Sequence, residues 1–267
     1  MANDYSSLSR RELVLAGVVA GKSAAAAQGQ RANGVRRTVT VPAQPNAINI
    51  GTSNTAVIVV DMQNDFGAKG GMFDRAGLDI SGIQKAIPPT ARVVTAARRV
   101  GLKVVYLKMA FRHDLSDLGT SDAPNRTRHM FLGVGKEVRG PNGERSRILV
   151  RDTWNTDIVP ELKPHADDIV MYKHRFSGFY GTELAAVLKR AGVKDLIVTG
   201  CTTSVCVEST VRDAMFRDYR CILLADCMAE PIGSELPRTN HEASLLVMQT
   251  LFAWVSSSAQ LLQSLDT

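Results

Sequence analysis

The chain has 267 residues, 45% of them hydrophobic and 22% charged, which suffices for one large α/β domain plus extras and does not require two. Of its formal net charge of +6, residues 1–37 hold +4: Arg10, Arg11, Lys22, Arg31, Arg36 and Arg37 outnumber Asp4 and Glu12, which leaves +2 for residues 38–267. A body so near neutrality, with no basic stripe interleaved with aromatics, excludes nucleic acid as a partner.

Residues 1–38 read as an N-terminal arm apart from a body over 39–267. Ser9-Arg10-Arg11-Glu12-Leu13-Val14-Leu15, the apolar Ala16-Gly17-Val18-Val19-Ala20 and the small-residue run Ala24–Ala27 follow the layout of a twin-arginine export signal. Lys22 interrupts that layout, and a flexible cytoplasmic tail explains the same composition. The expected location is therefore exported to the periplasm or cytoplasmic, with export favoured. The apolar stretch is too short for a membrane span.

Ala56–Asp61 is a continuous apolar run ending in a carboxylate, the pattern of a strand buried on both faces. A loop over Gly67–Gly71 precedes a helix over about 83–101. Lys103–Leu107 is the second strand. Residues 111–144 are polar, rich in Gly and Pro and poorly periodic, which predicts a functional loop or lid. Asp168–Lys173 is the third strand, and 183–192 a helix closed by Gly192. Leu196–Thr199 and Cys221–Asp226 are the fourth and fifth strands, separated by a helix over 207–218, and a last helix covers 240–254. Such alternation predicts a mostly parallel sheet with helices on both faces and ligands at the carboxyl ends of its strands.

Three residues stand at or just beyond those ends: Asp61, Lys173 and Cys206. A cysteine at the first turn of a helix, just after a strand, meets outward N–H groups and a positive dipole end that lower a thiol pKa. Asp61 is then a base for the Cys206 proton and an acid for a leaving amine, while Lys173 holds Asp61 and favours thiolate. Backbone N–H groups at the helix start are oxyanion donors. Taken singly, the residues also fit a buried structural thiol, a turn cap and a solvated lysine. The four cysteines, Cys201, Cys206, Cys221 and Cys227, show no C-x-x-C pair or zinc spacing. Cys221 opens an apolar run and reads as core, although an exported chain would also permit a Cys221–Cys227 disulfide. His129, His174 and His241 stand alone and read as surface or core residues.

Val59–Phe66, Lys173 before Arg175-Phe176-Ser177-Gly178-Phe179, and Thr199–Val207 resemble, in order and spacing, three signatures of the isochorismatase-like cysteine hydrolase family. The likeness spans about residues 53–260. Arg175–Phe179 and Cys206–Asp213 are most similar to the ureidoacrylate amidohydrolase branch. Phe111–Leu118 resembles biuret hydrolase relatives, and the Thr202-Thr203-Ser204-Val205-Cys206 run resembles N-carbamoylsarcosine amidohydrolase. This resemblance implies a three-layer α/β/α, flavodoxin-like fold with a six-stranded sheet and a Cys206–Asp61–Lys173 triad. It implies a cis Cys201–Thr202 peptide that aims the Thr202 and Cys206 N–H groups as an oxyanion hole, and homodimers or homotetramers. A metal site with an Asp-x-His motif belongs to the nicotinamidase branch; Arg112-His113-Asp114 stands here instead, so neither metal nor cofactor is expected.

The implied reaction is cleavage of a ureido or carbamoyl C–N bond in a small molecule, with ammonia released. Phe66, Phe111, Phe179 and Tyr180 are candidates to line a slot for a planar urea group, and Arg112 or Arg175 to hold a substrate carboxylate. Two other readings stay open: a same-triad hydrolase of a bulkier amide or ester, with residues 114–143 as rim, and a non-hydrolytic interaction module.

Overall fold

A computed structural model describes residues 37–266, so the expected export signal lies outside the described residues. The described chain opens with an antiparallel hairpin, β1 (Thr38–Val41) and β2 (Ile48–Gly51), whose valines and isoleucines alternate inward. Strand β3 (Thr55–Val60) is buried along its whole length. Short helices α1 (Asn64–Gly67) and α2 (Met72–Arg75) lead to the long α3 (Ser81–Arg99) and to β4 (Lys103–Met109). An excursion follows, with α4 (Pro124–Phe131) and the hairpin β5 (Glu137–Arg139) and β6 (Arg145–Arg147). Then come β7 (Ile169–Lys173), α5 (Leu184–Arg190), β8 (Asp195–Cys201), a single π-helical turn (Thr203–Val207), α6 (Glu208–Met215), β9 (Arg220–Ala229), α7 (Asn240–Leu251), β10 (Trp254–Ser256) and α8 (Ser258–Asp266).

Six strands form one parallel sheet in the order β10-β9-β8-β3-β4-β7. Alternation along β3 supplies both faces. Val57 and Val59 join Ile83, Ile87, Val93, Val94, Leu261 and Leu265 of α3 and α8 in one core. Ala56, Ile58 and Val60 join Leu184, Leu188, Val211 and Met248 of α5, α6 and α7 in the other. This is the expected three-layer α/β/α arrangement, and the sheet is wholly parallel.

The chain leaves β3 toward β4 and β7, then returns to the far side of β3 to lay down β8 and β9. The crevice between the carboxyl ends of β3 and β8 is therefore the topological switch point, where an open α/β sheet binds its ligands. The two strands approach unusually closely there. Gly200 pairs with Val60 at φ +117°, and a Cβ on it would stand 2.0 Å from the Val60 carbonyl oxygen.

Several expectations change. The helix expected over 240–254 stops at Leu251, Trp254 begins the sixth strand, three residues long and too short to show a period, and a further helix, α8, follows it. Residues 111–144 are not structureless, since α4 and the β5–β6 hairpin order them. Helix α6 begins at Glu208, because a π turn occupies the preceding five residues. Asn64–Gly67 is helical, and β9 runs on to Ala229. All four cysteines are free and buried.

Gly200→Ala combines a forbidden contact with a backbone conformation that side chains rarely adopt, a cost of several kcal/mol. Thermal unfolding of that variant is expected at least about 10 °C below the parent chain. An unchanged melting temperature would show that β3 and β8 separate more easily than this packing requires.

Candidate active site

Asp61 follows β3 with φ +51° and its N–H bonded to the Leu107 carbonyl, 2.9 Å away. This left-handed turn directs the chain away from the sheet while keeping Asp61 fully buried. Its Oδ1 accepts from the Met109 N–H at 2.9 Å, and its Oδ2 lies 2.7 Å from the Lys173 Nζ. Lys173 ends β7 in register with Met109, and it also contacts Met109 Sδ at 3.6 Å and the Arg175 carbonyl at 3.3 Å. Apart from Lys173, Oδ2 has no hydrogen-bond partner among the described residues. Neither charge reaches water: Lys173 is also 0% exposed.

Cys206 lies in the π turn between β8 and α6, and its thiol interacts with both Asp61 and Lys173. The Cys201–Thr202 peptide bond is cis. The Thr202 carbonyl accepts from the N–H groups of Val205 and Val207 and passes over Cys206 between them. The Thr202 N–H has no acceptor among the described residues. Two side chains pin the turn from outside. Glu230 accepts from the Ser204 N–H at 3.1 Å and Oγ–H at 2.5 Å, and His241 Nδ1 lies 2.9 Å from Thr203 Oγ1. Inside, the Thr210 hydroxyl donates to the Cys206 carbonyl at 2.7 Å and accepts from the Gly178 N–H at 2.9 Å. The Cys201 thiol donates to the Asp61 carbonyl at 3.2 Å, tying β8 to the turn after β3.

Burial sets the charge state. It pushes the Cys206 thiol up to about 12 and outweighs the opposing pull of Lys173, so the resting sulfur is a thiol. The lowered thiol pKa expected from the helix start does not hold here, because Cys206 sits in a buried turn where desolvation outweighs any help from the helix start. Burial also lifts the Asp61 carboxyl above its ordinary value, against Lys173 and the Met109 N–H. For Lys173 burial works toward loss of the proton, but the interactions with Asp61 and then Cys206 prevail and hold it above its ordinary value.

Sequence patterns left the four residues after Asp61 without a role, and they anchor the excursion. Gln63 bonds the Met109 N–H at 2.7 Å and the Met109 and Thr156 carbonyls at 3.1 and 3.2 Å. Asn64 donates to the Trp154 carbonyl at 2.8 Å, and the Val159 N–H to the Met62 carbonyl at 3.0 Å. Asp65 accepts from Met72 N–H at 2.9 Å, from Leu149 N–H at 2.7 Å and from the Asn155 amide. Three successive buried polar residues after an apolar strand are the signal available in the sequence.

Of the residues proposed for substrate contact, Phe66 packs in the core, edge-on to Phe73 at 4.9 Å. Phe179 belongs to the other core, beside Tyr219. Phe111 is fully buried against His129, whereas Tyr180 is exposed and stands under the Arg175 guanidinium. Arg175 Nη1 donates to the carbonyls of Asp117 and His174. Arg112 lines a polar cavity of about 450 Å³ with Asp117, Arg151, Tyr172 and His174, whose walls include none of Asp61, Lys173 and Cys206. Among the described residues no cluster of His, Cys, Asp or Glu could hold a metal ion.

The model of the Isochorismatase domain matches residues 55–260. The ureidoacrylate amidohydrolase RutB of Serratia proteamaculans is 39% identical over 219 residues, 82% of this chain and 86% of that protein. A cysteine hydrolase from Pseudomonas syringae pv. phaseolicola has a similar structure, with a TM-score of 0.69 and 28% identity over 87% of this chain and 98% of that one. The N-carbamoylsarcosine amidase of Thermoplasma acidophilum superimposes with a TM-score of 0.56 and 26% identity, covering 77% of this chain and 96% of that one.

Asp65 gives a pH test of the anchor. Burial raises its carboxyl from 3.8 to about 6, more than its three donors lower it, so the folded chain binds this proton more tightly than the unfolded one. The stability it adds is complete below pH 3.8 and disappears as pH rises through about 6, a loss of about 3 kcal/mol. Asp65→Asn loses one acceptor, at about 1–3 kcal/mol, and should flatten this dependence. Denaturant unfolding of both chains from pH 4 to 6.5 checks it; parallel curves would remove Asp65 as the titrating group.

Proposed function

The chain belongs to the isochorismatase family, and on that premise we propose that it is a cysteine-nucleophile amidohydrolase that cleaves a C–N bond of a small ureido or carbamoyl compound. The observation that carries this reading is the contact of one buried thiol with a buried carboxylate–ammonium pair. The names of the relatives, a ureidoacrylate amidohydrolase and an N-carbamoylsarcosine amidase, support the substrate class.

The reaction begins from thiol, carboxylate and ammonium. A thiol at about 12 yields almost no free thiolate at neutral pH, so the sulfur needs a base within reach. Asp61 Oδ2 takes the proton as Cys206 Sγ attacks the ureido carbonyl carbon, and the carbonyl π pair moves onto oxygen. The Thr202 and Cys206 N–H groups receive that oxyanion, at roughly 3 kcal/mol per donor. Collapse re-forms the carbonyl and breaks the C–N bond, and the Asp61 proton leaves with ammonia. A water molecule then gives its proton to Asp61 and attacks the thioester-type acyl carbon. The S–C bond breaks, the thiolate recovers the proton, and a carbamic acid departs, losing its own proton to water to become a carbamate. Lys173 stays charged throughout and keeps Asp61 from competing for its own proton too strongly.

The substrate fits beside a rim built from the excursion between β4 and β7, which Gln63, Asn64 and Asp65 hold in place. By family likeness the active form is a homodimer or homotetramer.

Cys206→Ala should lower kcat/KM by at least about 10³-fold, and brief mixing of the parent enzyme with a ureido substrate should leave an acyl mass on the peptide that contains Cys206. Full turnover by the alanine variant would end the nucleophile assignment. The carboxylate must be free to accept the thiol proton, and Asp61 keeps its own proton to higher pH than an ordinary aspartate. The acid limb of kcat/KM should therefore lie above 3.8; a limb at or below that value would exclude Asp61 as the base.

A further inference from the structure

We propose that His129 reads the substrate in this site: its Nε2 accepts a hydrogen bond from an N–H of the ureido or carbamoyl group. The inference rests on the amidohydrolase reading above and extends it to a residue that the sequence left as core or surface.

His129 lies on α4 and is only 5% exposed. Its Nδ1 is 2.5 Å from the Asn125 carbonyl, which can only accept, so Nδ1 carries the hydrogen and Nε2 is a bare acceptor. Nε2 has no hydrogen-bond partner among the described residues. Nε2 is not among the side-chain atoms sealed from solvent without a partner, so water reaches it and a ligand N–H can take that water's place.

The ring is held where the site lies. Phe111, two residues past Met109, meets it edge-on at 5.1 Å; Phe176, three past Lys173, covers its other side at 5.6 Å. Met109 and Lys173 are the residues that contact Asp61. Burial, together with the charges of Lys173 and Arg175, lowers the imidazole pKa and keeps the ring neutral. Lys173 is engaged with Asp61, Met109 and the Arg175 carbonyl, and Arg175 Nη1 with the carbonyls of Asp117 and His174, so neither of these donors serves Nε2. Phe176 is 40% exposed, so the wall opens toward solvent on its side. A bound ligand can supply an N–H in place of water there. A urea-type group has such hydrogens and a simple carboxylic ester has none, so His129 would also select C–N over ester substrates.

Binding to the Cys206→Ala chain tests this without chemistry. Calorimetry would compare ureidoacrylate with its terminal N,N-dimethyl analogue, in that background and with His129→Phe added. With His129 present, dimethylation should weaken binding about tenfold; with His129→Phe the ratio should fall below twofold, because the acceptor is gone. Equal ratios in the two chains would overturn the assignment. If His129→Phe does not fold, ¹⁵N NMR of the Cys206→Ala chain decides: the His129 Nε2 resonance should shift upfield on adding ureidoacrylate, and an unmoved resonance would overturn the proposal. Turnover by the parent enzyme separates the two readings. A parent chain that hydrolyses no ureido compound overturns both, whereas turnover with equal ratios removes His129 alone.

Discussion

The ion pair between Asp61 and Lys173, 2.7 Å long and closed to water, is the constraint to which the rest of the site conforms. Removing two charges from water costs several kcal/mol each, and mutual attraction repays that only with good geometry and further hydrogen bonds. The structure provides both. Met109 serves as the hub: its N–H bonds Asp61, its sulfur contacts Lys173, and its carbonyl accepts from Gln63. Replacing either charged partner alone would leave the other buried and uncompensated. The pair is thus costly as a source of stability, and on the proposed mechanism its function is what it does to the thiol beside it.

The same burial separates the charge state from what helix geometry alone suggests. A thiol at the start of an exposed helix drifts toward thiolate, but Cys206 is enclosed by a turn whose flanks are fixed by Glu230, His241 and Thr210. Desolvation then exceeds the help from Lys173. On the proposed mechanism, the thiol is stored protonated and is released by transfer to a carboxylate that burial has itself made more basic. An enclosed thiol of this kind is also protected from the oxidants that attack exposed thiolates.

Much of the fold was legible in sequence because fully buried parallel strands write themselves as apolar runs, as in Ala56–Val60 and Cys221–Leu224. Trp254–Ser256 was not legible, since two half-buried residues and one buried serine after a helix show no period. Helix α4 was hidden by a polar composition, with His129 its one buried side chain. In the site, Asp61, Lys173 and Cys206 stood out because each ends or follows a strand. His129 and Glu230 gave no such signal: the rings around His129, Phe111 and Phe176, and the Ser204 that Glu230 bonds lie in other segments of the chain, and only the folded arrangement pairs them. The roles of Gln63, Asn64 and Asp65 were half legible, as polar residues in a buried place without the partners that explain them.

Lys173 ends β7, and β7 is an outermost strand bonded to the sheet on one side only. The most deeply buried cation of the site is therefore carried by an element whose other edge, marked by the exposed Val170, faces away from any strand. Outer strands open more readily than central ones in native-state fluctuations. A local fraying of β7 that leaves β3, β8 and β9 paired would hydrate Asp61 and disarm the thiol while most of the molecule stayed intact. On the proposed mechanism, competence for chemistry would then be lost before cooperative unfolding.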